Sequence, residues 1–403
     1  CHLPQCKTMK MFRLGSLLAL LLLVGTLVPV GLAATRSQTP SALVNIQFLN
    51  VSDWHAQLDP VNVSGVNVGG AAQLSSYWKA DRAMNPNTIT LTSGDDFGAS
   101  PPLSGYFNEV PAIIAQRMMG MSINTFGNHN FDRGTAHLQQ MIERAIAPTA
   151  LLTPTSIYTD GLPFPYVAAN LINTTGVLTG VERFKIIDMS GVKVAVIGIV
   201  NPEAPSLVIP GAFGPIVITD PVAAAMAAKT EAQTAGAQVF VVITHMGLTT
   251  PNSGPLIDFA NAVSGFDIIF GDHTDIQYSG TINGALVIEN LSKGVGYAKI
   301  NLTYDTTANT VTNKTHQFVT PISANVTADP AIVTMLKPYR DQLSAIFDAD
   351  IADATALFPR SGNNERLGEA AIGNITTDAM RAEYDTDIAF TNGGGLRSSI
   401  PSS

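Results

Sequence analysis

From about residue 43 the chain alternates short apolar runs, rich in β-branched residues, with longer alanine-rich or amphipathic stretches. The runs ALVNIQFLNV, NTITLTSG, MSINTFG, VKVAVIGIV, AQVFVVITH and FDIIFGDH are bounded by turn residues and predict buried strands. Between them, GGAAQLSSYWKADRAM, EVPAIIAQRMM, TAHLQQMIERAI and DPVAAAMAAKTEAQTAG predict helices, the last opening at Asp220-Pro221. Strands alternating with helices at this spacing predict an α/β arrangement whose sheet layers are covered by helices.

Beyond residue 285 the texture changes to ALVIEN, YAKINLTYD and NKTHQFVTPI, alternating strands separated by Asn, Gly and Thr turns. A single long helix is predicted over 329–348, with Pro338 inside it, and reads as a connector between two domains. A further helix in LGEAAIGNITTDAMRAEYD and a strand with a glycine-rich loop in DIAFTNGGGLRSSIPSS follow. A second domain of about 45–50 residues is too short to close its own core, so the sequence reads as truncated within it.

Composition narrows the picture. With 403 residues, 46% hydrophobic and 13% charged, the chain is long enough for two domains and too apolar for disorder. From Met9, MKMFRLGSLLALLLLVGTLVPVGLAA has a basic start, an apolar run and small residues at its end, the pattern of a secretory signal peptide over residues 9–34. A retained membrane anchor over Leu14 to Ala34 is the alternative. Residues 1–8 then form an upstream segment that holds both cysteines, Cys1 and Cys6, which leaves an exported mature chain without thiols. Cleavage removes Lys7, Lys10 and Arg13 and no acid, so the formal charge moves from −9 to −12. Such an acidic domain has no basic stripe with which to hold a nucleic acid polymer. If it handles phosphates it needs local positive charge, and metal ions are a source.

Chemistry concentrates where the predicted strands end. Asp53 and His55 follow the first, Asp95 and Asp96 the second, Asn128 and His129 the third, His245 the fifth, and His273 and Asp275 the sixth. Singly, each has a structural explanation, since Asp and Asn after a strand make turns or helix caps. Together they amount to four of the seven histidines, delivered with carboxylates to the edge where open α/β sheets bind ligands. Imidazole, carboxylate and a neutral Asn oxygen are the donors divalent metals take when no thiolate is present. A pair of metals about 3.5–4 Å apart can clamp a phosphoryl group. Such a pair needs a bridging carboxylate, and Asp95, behind Gly94, is the candidate.

DWH at 53–55, GDD from Gly94, GNHNFD at 127–132, THMG at 244–247 and GDHTD at 271–275 together resemble the calcineurin-like metallophosphoesterases. Within them the chain resembles the exported 5′-nucleotidase family, whose members include bifunctional UDP-sugar hydrolases. EAAIGNITTDAMR and DIAFTNGGGLRSSIP are similar to the opening of that family's nucleotide-binding domain. The resemblance implies a four-layer α/β/β/α catalytic sandwich over 43–326, a linker helix over 327–356 and a partial substrate-binding domain over 357–403. It implies one divalent ion (Zn, Mn, Mg or Co) among Asp53, His55, Asp95 and Asp275, and a second among Asp95, Asn128, His245 and His273. His129 would face the phosphate or the leaving group, oriented by Asp132. Arg366 and Arg397 match arginines near the substrate, with surface charge as the alternative.

The implied activity is hydrolysis of phosphate monoesters of nucleotides, with UDP-sugars or 2′,3′-cyclic nucleotides as further substrates. The implied setting is periplasmic, cell-surface or extracellular, and membrane contact would come only through an uncleaved signal segment. Two alternatives are a two-metal hydrolase of another anionic ester and an exported binding protein with a decayed metal centre. The chain departs from the family pattern at Asn130, where an acid is usual, and at Asp275, where His or Gln is common. Asp96 reads as a turn residue, with an additional acid supporting the site from behind as the alternative, and His137 and His316 read as surface residues.

Overall fold

A computed structural model of the chain describes residues 42–148, 161–349, 353–360, 368–396 and 399–400. The segment expected to be a signal peptide, residues 9–34, and Arg366 and Arg397 lie outside the described residues.

Two β-sheets form the centre. The first has four strands, β1 (Leu43–Val51), β2 (Thr88–Thr92), β9 (Tyr297–Asp305) and β10 (Thr310–Val319), in the order β10-β9-β1-β2. The second has six, β3 (Phe184–Met189), β4 (Val192–Ile199), β5 (Val239–Thr244), β6 (Ile268–Phe270), β7 (Tyr278–Ile282) and β8 (Ala285–Glu289), in the order β7-β8-β6-β5-β4-β3. β1 and β2 run parallel, and so do β4, β5, β6 and β8; β9 lies antiparallel between β10 and β1, and β3 and β7 are antiparallel edge strands of the second sheet. Parallel strands buried on both faces require near-continuous apolar sequence, which explains why VAVIGI and VFVVIT read as unbroken runs.

Helices cover both outer faces. Helices α1 (Ala71–Met84), α2 (Val110–Met119), α3 (Gly134–Ile146) and α6 (Pro330–Phe347) bury Trp78, Ile113, Leu138 and Met335 in one cluster with Leu49 and Val51 of β1. Ile46 and Phe48, the alternate residues of β1, meet Val241, Ile243, Ile268 and Ile288 between the sheets. On the far face, α4 (Pro221–Thr234) and α5 (Pro255–Ala262) cover Ile197, Val242 and Val287 with Ala225, Leu256 and Phe259. Three apolar layers between four structural layers give the α/β/β/α sandwich that the sequence resemblance implied.

Caps fix the helix starts. Asp220 accepts the Ala223 amide at 2.7 Å, ahead of Pro221, as the Asp-Pro pair predicts; such a cap contributes about 1 kcal/mol. Asp329 caps α6 through Ala331 while also accepting from Ser75 and Lys79 of α1, which ties the long helix to the sandwich. Helix α7 (Ala371–Tyr384) follows as predicted. Among the described residues no helix is long and apolar enough to cross a membrane.

Two predicted strands do not form. Segment 121–127 makes isolated bridges, because the Ser122 Oγ and Asn124 Oδ1 side chains take the Thr90 and Thr92 amides that a backbone ladder would use. In DIAF, Ile388 and Phe390 are 67% and 87% exposed, and no strand pairs with them among the described residues.

Candidate metal centre

The carboxyl ends of β1, β2, β5 and β6 converge on one edge, and hydrogen bonds cross there from sheet to sheet. The Asp53 amide donates to Asp272 Oδ2 at 3.0 Å, and the His273 amide donates back to Asp53 Oδ2 at 2.6 Å. The chain leaves its strands in left-handed backbone at Asp53 (φ 37°), His55 (48°), Asp95 (46°), His273 (92°) and Asp275 (59°). Each such residue with a Cβ costs about 1–3 kcal/mol. Left-handed backbone at this edge turns the Asp53, His55, Asp95 and His273 side chains toward a common centre and leaves Asp275 at the rim. Two glycines make room for them. A Cβ on Gly94 would stand 2.7 Å from His245 Nδ1, and one on Gly127 would overlap Asp95 Oδ1.

Donor atoms of Asp53, His55 and Asp95 lie within 4.8 Å of one another, and so do those of Asp53, His245 and Asp272. Backbone carbonyls fix the imidazoles. His55 Nδ1 donates to the Gly98 carbonyl at 2.8 Å and His245 Nδ1 to the Ser93 carbonyl at 3.2 Å, which turns both Nε2 atoms inward. His245 Nε2 then stands 3.1 Å from Asp95 Oδ2 and 3.2 Å from His273 Nδ1. Asn128 is buried, and its Oδ1 has no hydrogen-bond partner. An orphaned buried carbonyl beside converging imidazole and carboxylate atoms fits a divalent cation, because a cation satisfies all of them at once.

His129 stands beside this cluster. Its Nδ1 meets Asp132 Oδ2 at 2.8 Å, its amide donates to Asp95 Oδ1 at 2.8 Å, and its ring packs edge-on to His55 at 5.3 Å. A cavity of about 380 Å³ opens on this side, walled by Phe97, Ser100, Glu109, His129 and Asp132 and by Gly394 and Gly395 of the C-terminal segment. His137, read from sequence as a surface residue, is half-buried and lines the same cavity. Asp275 is exposed at the rim, outside both compact clusters.

Two acids, Asp272 and Glu289, are not marked in the sequence reading, and a third, Asp96, reads there first as a turn residue. Asp272, inside the GDHTD motif, is wholly buried and receives the Asp53 and His273 amides. Glu289 ends β8 and collects the Leu248, Thr274 and Ile276 amides and the Thr274 hydroxyl. Strand-end position, the signal that marked the other residues, also marks these two. Asp96 is not a turn residue: it is fully buried and accepts side-chain hydrogen bonds from Gln116, Asn124, Asn130 and Tyr166.

These environments set the charges. Burial alone would raise Asp95, but His245, His129 and His55 outweigh it and hold the carboxyl below the usual range. Burial would lower His245, yet Asp95 and Asp53 push it up to about 9. Burial pushes Glu289 up to about 8, against hydrogen bonds from Thr274 and Ile276. The sign is the same for both groups. Each binds its proton more tightly folded than unfolded, so stability is lost as pH rises, for Glu289 from its ordinary 4.5 to about 8 and for His245 from 6.5 to about 9. A metal must displace the His245 proton, so its affinity should rise over the same interval. The Tm of metal-free protein is therefore expected to fall from about pH 6 to about pH 9, while the Tm gain on adding Mn²⁺ widens. Thermal unfolding at both pH values, with and without metal, checks this, and a gain that narrows would contradict it.

Residues 350–403 match the 5′-nucleotidase, C-terminal domain family. The chain is 28% identical over 378 residues to Endonuclease YhcR of Bacillus subtilis, covering 91% of this chain and 30% of that one. It is 24% identical over 387 residues to the Trifunctional nucleotide phosphoesterase protein YfkN of the same organism, covering 89% and 25%. It thus spans about a third or less of the length of these curated relatives. Among solved structures, the 5′-nucleotidase precursor from Thermus thermophilus superposes with a TM-score of 0.72 at 21% identity, covering 88% of this chain and 70% of that one. Residues 350–403 thus belong with the 5′-nucleotidase C-terminal domains, and the chain as a whole is similar in sequence to nucleotide phosphoesterases and in fold to 5′-nucleotidases and calcineurin-like phosphoesterases.

Proposed function

We propose that the chain is a secreted, two-metal phosphoesterase that hydrolyses phosphate monoesters, with nucleotides as the substrate class. The observation that carries this reading is the shared carboxylate: Asp95 lies in a donor cluster with Asp53 and His55 while its other face meets His245 at 3.1 Å. Asp53, His55, Asp95 and Asp275 would hold one divalent ion, and Asp95, Asn128, His245 and His273 the other. When bound, such a pair supplies Lewis-acid stabilisation of the phosphoryl oxygens and a water acidified into the working range.

The remaining work falls to the chain's own groups. The carboxylate of Asp132 accepts Nδ1–H of His129 and so orients the ring, which in its protonated form carries a second proton on Nε2. Nε2–H is then the donor for a phosphate oxygen or for the departing ester oxygen, where negative charge develops. The adjoining cavity takes the leaving group, and its wall at Gly394 and Gly395 brings the C-terminal segment next to the reaction. Arg366 and Arg397 would contribute charge from that segment. The name of the nucleotide phosphoesterase relative supports the nucleotide assignment, and the leader over 9–34 supports export. The acidic balance argues against a polymeric nucleic acid substrate.

A substrate panel tests the reading. With Mn²⁺ present, p-nitrophenyl phosphate and AMP are expected to be hydrolysed with kcat/KM well above that for bis-p-nitrophenyl phosphate or single-stranded DNA. Preferential cleavage of the diester or the polymer would overturn the monoester assignment.

A further inference from the structure

Asp96 sits directly behind Asp95 in the interior. Its Oδ2 accepts from Tyr166 Oη at 2.6 Å, Gln116 Nε2 at 2.8 Å and Asn124 Nδ2 at 3.2 Å, and its Oδ1 accepts from Asn130 Nδ2 at 2.9 Å. All five residues are fully or almost fully buried. An ionised carboxylate can only accept, so it dictates which end of the Asn130 amide faces it. The carbonyl end of Asn130 is thereby turned the other way, where it accepts the Asp95 amide at 3.1 Å and the Gly127 amide at 2.8 Å. One side chain thus ties the loop carrying Asp95 to the loop carrying Asn128 and His129.

We infer that Asp96 is a positioning residue, which through the Asn130 amide sets the spacing of Asp95 and Asn128 and so tunes the site for its metal. This rests on the two-metal reading. The wiring is asymmetric, and that makes it testable. Asp96→Asn must keep its oxygen toward Tyr166, Gln116 and Asn124, so its NH₂ meets the NH₂ of Asn130. If Asn130 flips to relieve this, its NH₂ confronts two backbone amides. Asn130→Asp instead sets two buried carboxylates against each other. The swap of both restores every pairing except the long one from Asn130 Nδ2 to the Phe97 carbonyl at 3.4 Å: the amide at 96 donates to the carboxylate at 130, which accepts the Asp95 and Gly127 amides.

Two readouts separate positioning from bulk stability. Calorimetric Mn²⁺ titration is expected to show each single variant weakened about tenfold or more, and the swap within about threefold of wild type. In metal-free protein, hydrogen exchange at the Asp95 and Gly127 amides is expected to accelerate in both singles and to recover in the swap. Should wild type bind no metal, the two-metal reading fails, and the exchange measurement still decides the role of Asp96. If the singles do not fold, the swap carries the test alone. Singles that match wild type, or a swap that fails to fold or recovers neither affinity nor protection, would overturn the inference.

Discussion

Asp95→Asn is expected to lower kcat/KM for an aryl phosphate by at least about 10³-fold, equivalent to about 4 kcal/mol of transition-state stabilisation. The variant should also release bound metal. Asp95 shares a donor cluster with Asp53 and His55, stands 3.1 Å from His245 and accepts the His129 amide. The substitution keeps shape and removes charge. It thus weakens attraction for both proposed ions and leaves His245 without the carboxylate that raises it to about 9. Metal analysis beside steady-state kinetics checks both halves. A variant with normal metal content and normal turnover would show that Asp95 is not the shared ligand.

The second large effect separates catalysis from metal binding. His129→Ala is expected to lower kcat by about 10²–10⁴-fold, the range for loss of a positioned proton donor, while metal content stays at the wild-type value. His129 is held by Asp132 at 2.8 Å and stands to one side of the compact clusters. His245→Ala is expected to do the opposite first, losing metal outright, because its Nε2 lies between Asp95 and His273. Equal metal loss in the two variants would mean that His129 is a ligand.

Legibility in the sequence followed the range of the interactions involved. Strands buried on both faces announce themselves as apolar runs, and the polar residues that end them were visible in VSDWH, SGDD and ITH. The sandwich depends on those periodic features. Segment 121–127 looked like another strand because its composition is strand-like, but Ser122 and Asn124 spend their side chains on the neighbouring strand's amides. Asp96 was misread for a related reason. Next to Asp95 and a glycine it has the local signature of a turn, whereas its partners Gln116, Asn124, Asn130 and Tyr166 are 20 to 70 residues away. No local rule could pair them. Asp272 and Glu289 carry the same strand-end signal as the other site residues, although both organise backbone amides.

The most direct test is a single titration of metal-free protein with Mn²⁺, in which bound metal and p-nitrophenyl phosphate turnover are measured on the same samples. The account predicts two ions per chain at saturation, with turnover rising with the second ion and abolished by chelator. Full turnover with less than one ion per chain, or turnover indifferent to chelator, would contradict it.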